Sequence, residues 1–363
     1  MMKETADFIF RGINKPVEQA EYTWQSPSNI ALVKYWGKKG DQLPANASLS
    51  FTLSQCVTTT TVIFEKRGSD RQNLKLFLDG EEQSAFGQKA FSFLDKIRGF
   101  QPFLQDYHIQ IHTKNSFPHS SGIASSASGM SALALCCMSL EKELNGNVGS
   151  DFFYEKASFL ARIGSGSASR SVYPKFAMWG QHHEYTKGSD LYAIQVPEKE
   201  IHKDFHTFRD TILLIDQGKK SVSSTAGHDL LDKHPFRDER YRTANKNITE
   251  LKHILEKGDI EAFGNLVEQE ALMLHALMMS GPESFILMKP NTLAVIEKVR
   301  NWRTETGTPL FFTLDAGANV HLLYPESTEP KVLDFVQNEL IVYCEDKNYI
   351  CDNVGEGPQQ LMP

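Results

Sequence analysis

The chain has 363 residues, more than one compact hydrophobic core usually supports, so we expect two lobes. Its composition, with 40% hydrophobic and 23% charged residues, is ordinary for a soluble globular protein. A formal net charge of -7 argues against a nucleic-acid-binding protein, which would normally carry a basic excess or a basic face.

The sequence shows no sign of export or membrane insertion. Residues 1–21 mix charged and apolar side chains and lack a signal-peptide core, and no apolar run reaches about 18 residues. The cysteines number 5, and an odd count is typical of a reducing compartment. We therefore expect a cytoplasmic enzyme or binding protein with no membrane partner.

Residues 1–22 have weak periodicity and predict a loose N-terminal extension, followed by a first lobe over residues 23–205. Alternating and β-branched stretches predict strands at Asn29–Tyr35, Ser48–Leu53, Val57–Phe64, Leu74–Leu78, Tyr107–Thr113, Lys175–Trp179 and Leu191–Val196. Helical spacing of apolar residues predicts helices at Glu82–Arg98, Met130–Leu140 and Asp151–Ile163.

An apolar strand at Thr211–Asp216 predicts the start of a second lobe over residues 206–363. A polar loop, Gly218–Thr225, follows that strand. Helices are predicted at Arg237–Lys257, Ile260–Met279, Asn291–Thr304 and Val332–Val342, strands at Leu310–Leu314 and Asn319–Tyr324, and a final loop at Val354–Pro358. Strands and helices that mix without strict alternation indicate an α+β fold.

The segment from Phe117 to Gly129 joins a predicted strand to a predicted helix and is rich in small residues. Small side chains let the backbone approach an anion, and the first N–H groups of a helix have no intrahelical partner. We therefore predict a phosphate-binding loop, although it is neither a Walker A loop nor a Gly-x-Gly-x-x-Gly fingerprint. The alternative is a tightly packed helix start. Ser125 and Ser126 could bind phosphate, ligate Mg²⁺ or cap the helix.

Two cations are candidates for anion binding. Lys34 falls in an apolar strand, where an ammonium is costly unless it meets an anion, whereas Lys38 and Lys39 at the next turn are typical of a solvated surface. Arg170 follows the small residues of the segment 164–171, and its planar guanidinium suits a carboxylate or a phosphate. Taken alone, that run is equally compatible with a flexible loop.

Asp315 stands at a strand end before a glycine turn, a position from which a carboxylate can reach a cleft. The alternative is an aspartate that stabilises its own turn.

The histidines show no metal-ligand spacing, and His275 and His321 are predicted to be hydrogen-bonded core residues because their surroundings are apolar.

Together these segments resemble the GHMP kinases and, within them, the diphosphomevalonate decarboxylase family. The resembling blocks follow the family's order and lie at Asn29–Lys38, Pro44–Leu53, Thr58–Thr61, Phe117–Gly129, Gly164–Ser171, Leu314–Asn319 and Val354–Gln359. The Tyr-Trp-Gly-Lys run at 35–38 and the serine-rich loop ending in arginine resemble the decarboxylase branch in particular. Departures from the family pattern include His119-Ser120-Ser121 for Thr-Ala-Ala and Glu270 for a frequent aspartate.

The resemblance implies a two-lobed GHMP kinase fold, with a ribosomal-S5-like N-terminal lobe, a ferredoxin-like C-terminal lobe and a cleft between them. It implies that ATP phosphorylates the 3-hydroxyl of mevalonate 5-diphosphate, and that loss of this phosphate and of CO₂ yields isopentenyl diphosphate in the mevalonate pathway. ATP and Mg²⁺ are the implied cofactors and a homodimer is the implied assembly.

The resemblance also implies residue roles. Asp315 would orient or deprotonate the 3-hydroxyl, Arg170 would hold the C1 carboxylate, and Lys34 would stabilise developing charge. The substrate-binding residues would be Tyr35, Lys38, Ser165, Gly166 and Ser167 together with Arg170. The ATP-binding residues would be Asn115, Ser121, Gly122, Ile123, Ala124, Ser125 and Ser126, with Ser125 as the candidate metal ligand.

Two other functions stay open at this stage. One is a sister GHMP enzyme that acts on mevalonate or a mevalonate monophosphate, either as a 3-kinase or as a phosphomevalonate decarboxylase. The other is a non-catalytic metabolite-binding homologue on the same fold.

Overall fold

A computed structural model of the chain describes residues 3–12, 14–40, 42–118, 123–218, 231 and 233–362. The helices are α1 (Ser84–Ile97), α2 (Ser125–Asn145), α3 (Ser150–Gly164), α4 (Arg237–Lys257), α5 (Ile260–Ser280), α6 (Pro290–Thr306) and α7 (Glu329–Phe335). The strands are β1 (Gln19–Val33), β2 (Lys38–Lys39), β3 (Leu43–Pro44), β4 (Ser48–Lys66), β5 (Leu74–Leu78), β6 (Glu81–Glu82), β7 (Tyr107–Asn115), β8 (Phe176–Trp179), β9 (Ala193–Gln195), β10 (Arg209–Leu213), β11 (Phe311–Leu314), β12 (Val320–Tyr324), β13 (Tyr349–Asn353) and β14 (Gln359–Leu361). These elements form the two-lobed α+β architecture that the sequence predicts.

The first lobe is built on a sheet in the order β14-β1-β4-β7-β5-β6, with β8 beside β4 and β9 beside β8. Side chains alternate across a strand, so every second residue in the later part of β4 faces the core, including Val62 and Phe64. Helix α2 packs on β1 and β4 and covers that face, and α3 packs on α2.

The first lobe differs from the sequence prediction at its strands. Ser48–Leu53 and Val57–Phe64, predicted as separate strands, form the single strand β4. The backbone N–H groups at 54–56, between the two predicted strands, donate to the carboxylate of Asp352 from the second lobe. An acceptor from a distant part of the chain therefore satisfies this stretch of backbone.

The N-terminal residues also pack more closely than the sequence predicts. Phe8 and Phe10, placed in a loose extension, are buried in the first-lobe core. The Phe8 ring stacks on Phe159, with the ring centroids 4.4 Å apart. Phe8 thus packs against α3, and Phe10 packs on Phe103.

The second lobe is an antiparallel sheet in the order β11-β12-β10-β13. Neither β13 nor β14 is predicted from the sequence, and all of residues 206–363 are predicted to belong to this lobe. The last strand, β14, instead pairs with β1 of the first lobe, with Thr23 opposite Leu361. The predicted helix at Val332–Val342 begins earlier, at Glu329, and continues past α7 as short π and 3₁₀ turns.

The two lobes share one hydrophobic cluster. Leu32 of β1 and Phe51 of β4 belong to it, together with Ile212 of β10, Leu251 of α4 and Phe263 of α5. The end of β1 is thus packed against the helices of the second lobe. Among the helices of the described residues, none combines the length and apolar character needed to cross a bilayer.

Helix α5 packs tightly on β11 because Gly264 has no side chain. A Cβ atom at this position would overlap the ring of the buried residue Phe311. We expect Gly264→Ala to lower the free energy of unfolding by about 1–3 kcal/mol or more, as overpacked cores do. Chemical denaturation measures this change. The control is Gly99→Ala, where a Cβ atom has no neighbour within 4 Å; equal stability of the two variants would contradict the packing argument.

Candidate active site

A cavity of about 910 Å³ is lined by side chains of both lobes. Leu274, Asp315 and Ala316 line it from the second lobe. Most predicted site residues of the described chain line it as well: Lys34, Tyr35, Lys38, Asn115, Ala124, Ser125, Ser126, Ser165, Gly166, Ser167, Arg170 and Asp315. The structure therefore brings residues that are far apart in sequence to one cavity.

Lys34 lies one residue beyond the end of β1, not within the strand as the sequence predicts. The side chain is buried, and its Nζ donates to the carbonyl oxygen of Ala31 at 2.6 Å. Burial lowers the pKa of Lys34 to about 8, against the opposing effect of carboxylates, chiefly Asp315 and then Glu270. Lys34 is therefore charged at neutral pH and close to its titration point.

This low pKa makes activity sensitive to alkaline pH. If catalysis needs the Lys34 ammonium, kcat/KM should fall as pH rises through about 8, since kcat/KM reports the free enzyme. Between pH values of about 8 and 10.5, Lys34 is mostly deprotonated in the native state but protonated in the unfolded chain. The contribution of Lys34 to the free energy of unfolding therefore rises with pH in this range. A loss of activity in this pH range therefore cannot result from unfolding caused by the titration of Lys34.

The measurement is a pH profile of kcat/KM from pH 6 to about 9.5, with a melting curve at each pH. Lys34→Arg keeps the charge and should shift the alkaline limb upward. A wild-type profile that stays flat through this range would contradict the assigned need for the ammonium.

Arg170 lies in a short 3₁₀ stretch, Gly166–Val172, not in an open loop. The guanidinium is buried and donates to three neutral oxygens: Ser50 Oγ at 2.9 Å, Ser48 Oγ at 2.5 Å and Asn29 Oδ1 at 3.3 Å. Burial lowers the pKa of Arg170 to about 10, so the side chain stays charged at neutral pH. Within the described part of the chain, no carboxylate lies in salt-bridge range of Arg170.

The serine-rich turn before Arg170 packs closely on two aromatic rings. A Cβ atom at Gly166 would come within 2.8 Å of both Trp179 and Tyr35, so only glycine fits. Ser165 and Ser167 flank Gly166, and their Oγ atoms lie 3.4 Å apart. This packing holds two hydroxyl groups at the wall of the cavity.

Asp315 stands in the turn that follows β11. Its backbone carbonyl accepts the N–H of Gly317 at 2.7 Å and lies 3.1 Å from Nε2 of the buried His275. His275 and His321 are both hydrogen-bonded core residues, as the sequence predicts; the Nδ1 atom of His321 lies 2.7 Å from the Asp210 carboxylate. The contact between His275 and the predicted catalytic turn is not predicted from the sequence.

Helix α2 begins at Ser125, and Ala124 before it has φ 49° and ψ 42°. This left-handed residue turns the chain so that the helix starts at the cavity wall. Ile123, a predicted ATP-binding residue, is buried and does not line the cavity, and its carbonyl oxygen accepts a hydrogen bond from the Ser28 hydroxyl. The predicted contacts at Ser121 and Gly122, and the unusual His119–Ser121 start, lie outside the described residues.

The part of the cavity that lies along α1 is not predicted from the sequence. Lys89 and Lys96, exposed residues of α1, line it together with Phe93, Leu76 and Thr113. The lysines are seven positions apart, which places them on one helix face. This spacing was visible in the sequence, but an exposed lysine on an amphipathic helix is too common to indicate a site.

Among the described residues no group of three or more His, Cys, Asp or Glu side chains could hold a metal ion. Any Mg²⁺ here would need oxygen ligands from hydroxyl groups such as Ser125 and from bound phosphates, which is a donor set that suits this hard cation.

Comparison with known proteins agrees with this geometry. Residues 26–193 match the family described as diphosphomevalonate decarboxylase-like N-terminal domain, and residues 211–361 match the mevalonate 5-diphosphate decarboxylase C-terminal domain. A diphosphomevalonate decarboxylase of Gibberella zeae is 30% identical over 324 residues, covering 83% of this chain and 80% of that protein.

Two solved structures are similar over nearly the whole chain. Mevalonate diphosphate decarboxylase from Staphylococcus aureus is 28% identical with a TM-score of 0.80, covering 95% of this chain and 98% of that one. A structure described as MDDEF in complex with MVAPP, AMPPCP and magnesium is also 28% identical, with a TM-score of 0.79, covering 95% of this chain and 100% of that one. The protein described here belongs to the diphosphomevalonate decarboxylase family.

Proposed function

We propose that this protein catalyses the ATP-dependent decarboxylation of mevalonate 5-diphosphate to isopentenyl diphosphate, ADP, phosphate and CO₂. One observation carries the proposal: Asp315, Lys34, Arg170 and the N-terminus of α2 all line one cavity between the lobes. Phosphoryl transfer to an alcohol that also bears a carboxylate needs a proton acceptor, cations for the anionic groups and a site for the ATP phosphates. A carboxylate, two buried cations and a helix N-terminus meet these needs.

Arg170 would bind the C1 carboxylate of the substrate. Its hydrogen-bond partners Ser50, Ser48 and Asn29 orient the guanidinium but are neutral, and the Asp315 carboxylate interacts with it only from beyond salt-bridge range. A substrate carboxylate would add a directly paired negative charge in a buried place, where charge pairs are strong. Tyr35, Lys38 and the serine turn at 165–167 would surround the rest of the substrate.

Asp315 would accept the proton of the 3-hydroxyl while the hydroxyl oxygen attacks the γ-phosphorus of ATP and the bond to ADP breaks. The C3–O bond then breaks and phosphate leaves with that oxygen. The C1–C2 bond electrons form the C2=C3 double bond as CO₂ departs. The ammonium of Lys34 would stabilise charge on the transferred phosphate. Once Asp315 has passed its proton to solvent, its carboxylate would stabilise positive charge at C3.

The N-terminus of α2 would hold the ATP phosphates, with Ser125 and Ser126 as hydroxyl donors and Asn115 nearby. Magnesium, when bound, would neutralise phosphate charge. The ligands AMPPCP and magnesium named for the similar MDDEF structure support this assignment. The lysines of α1, Lys89 and Lys96, would add positive charge near the nucleotide.

The test is to incubate the protein with ATP, Mg²⁺ and, separately, mevalonate, mevalonate 5-phosphate or mevalonate 5-diphosphate. We expect CO₂ and isopentenyl diphosphate from the diphosphate, with kcat/KM at least about 100-fold above that for the other two. A phosphorylated product without CO₂ would indicate a 3-kinase, and CO₂ mainly from the monophosphate would indicate a phosphomevalonate decarboxylase. Binding without turnover of any of the three would support the non-catalytic alternative.

We also propose that the protein is cytoplasmic and homodimeric, with residues 23–205 and 206–363 as its two domains. The family resemblance supports the dimer and the cysteine usage supports the compartment. Sedimentation equilibrium of the full chain tests the dimer.

A further inference from the structure

We propose that helix α5 sets the relative position of Lys34 and Asp315, which come from different lobes, with Glu270 and His275 as its positioning residues. This inference rests on the function proposed above, because it takes Lys34 and Asp315 as catalytic groups. The evidence is that each of the two side chains binds the backbone of one catalytic residue.

Glu270 holds the backbone of Lys34. Since Lys34 lies beyond β1, its backbone N–H is not part of a strand ladder, and it donates to Glu270 Oε2 at 2.9 Å. The Lys34 carbonyl accepts from Arg240 at 3.3 Å and from Asn46 at 3.0 Å. Side chains of α4 and α5 thus bind both the N–H and the C=O of a first-lobe residue.

The Glu270 carboxylate is itself fixed. Arg240 donates to both of its oxygens, at 2.8 Å and 2.6 Å, and Asn247 donates to Oε1 at 2.6 Å. Burial acts to raise the pKa of Glu270, but the Arg240 guanidinium outweighs it and the pKa is lowered. An ionised carboxylate can only accept hydrogen bonds, so it suits the three donors around it.

His275, five residues along α5, holds the turn of Asp315. The ring is buried, and burial lowers its pKa to about 4, so it is neutral at physiological pH. Because a carbonyl oxygen only accepts, the contact of 3.1 Å to the Asp315 carbonyl assigns the proton to Nε2. The turn that carries the carboxylate is therefore tied to α5.

A helix can hold two side chains at a fixed separation because it is stiff. The five residues from Glu270 to His275 correspond to a rise of about 7.5 Å along the helix axis. Leu274, between the two positioning residues, lines the cavity, and Phe263 near the start of α5 lies in the interlobe cluster. The alternative is that Glu270 and Arg240 form an ordinary buried ion pair that serves stability alone.

His275→Leu and His275→Gln test the histidine. Leucine removes the donor while keeping the bulk; we expect kcat to fall about 10- to 100-fold, with KM for both substrates within about threefold of wild type. Glutamine supplies an amide N–H near the position of Nε2 and should recover most of kcat. The matched control is His206→Leu, because His206 Nε2 also lies 3.1 Å from a backbone carbonyl, that of Ile201, outside the cavity.

Glu270→Gln and Glu268→Gln test the carboxylate. Glu268 lies on the same helix and pairs with Arg303 and Arg300, away from Lys34. Both variants should lower the melting temperature, but only Glu270→Gln should also lower kcat, by about tenfold or more. Equal kcat in the two variants would reduce Glu270 to a structural role.

The inference is overturned if His275→Leu keeps wild-type kcat, or if His275→Gln loses as much as His275→Leu. Should His275→Leu fail to fold, His275→Met replaces it as the variant without a donor, and the same two outcomes decide. Failure of the proposed function is distinct, because the wild-type protein would then release no CO₂ from mevalonate 5-diphosphate.

Discussion

Asp315→Asn should abolish turnover while leaving the nucleotide in place. The substitution keeps the size of the side chain but removes a proton acceptor at the wall of the cavity. A general base contributes about 10²- to 10⁴-fold to a rate, and Asp315 is also assigned to stabilise charge at C3, so we expect kcat to fall by about 10³-fold or more. The Kd for ATP, measured by titration calorimetry, should stay within about threefold of wild type, because the nucleotide phosphates are assigned to α2.

The control for this experiment is Asp334→Asn, an exposed carboxylate on α7. It should keep wild-type kcat. If Asp315→Asn retained full activity, Asp315 would have to be removed from the catalytic residues, and the alternative that it merely stabilises its own turn would gain support.

Arg170→Met should separate activity from stability. Loss of a buried charge that meets a substrate carboxylate costs about 2–5 kcal/mol, which corresponds to about 30- to 5,000-fold in kcat/KM. Stability should fall less than on removal of a buried, salt-bridged arginine, since no carboxylate among the described residues lies in salt-bridge range of Arg170 and the three oxygens that lose its hydrogen bonds are neutral. We expect a melting temperature within a few degrees of wild type.

Arg240→Met provides the contrast. It removes the cation that pairs with the fully buried Glu270, and an uncompensated buried carboxylate costs about 3–5 kcal/mol of stability. Denaturant titration of both variants measures the difference. Similar losses of stability for Arg170→Met and Arg240→Met would mean that the charge of Arg170 is satisfied within the protein, and its role as a substrate-carboxylate ligand would fail.

The parts of the fold that depend on local periodicity could be predicted from the sequence. The amphipathic helices are the clearest example: α4 has the predicted bounds Arg237–Lys257, and α5 differs from its prediction by one residue. Strands defined by distant partners could not be predicted in the same way. Strand β14 is three residues long and has two glutamines, so only its pairing with β1 identifies it.

The candidate site likewise contains residues that could be recognised in the sequence and residues that only the structure reveals. Lys34 was visible because an ammonium in an apolar stretch is unusual in sequence. Arg170 and Asp315 were candidates on their positions, but a flexible loop and a self-stabilised turn explained them as well, and the family resemblance implied their roles. The residues that position them could not be recognised in the sequence. Glu270 and His275 occupy an ordinary helical pattern, and only the packing of α5 between the lobes brings them to the backbones of Lys34 and Asp315.

The central claim is that the 3-hydroxyl of mevalonate 5-diphosphate is phosphorylated and then leaves as phosphate during decarboxylation. The most direct test uses substrate labelled with ¹⁸O at the 3-hydroxyl, with ATP and Mg²⁺, followed by mass spectrometry of the released phosphate. We predict one ¹⁸O atom in each inorganic phosphate, with CO₂ and phosphate formed in equal amounts. Release of the label into water, with unlabelled phosphate, would contradict the mechanism.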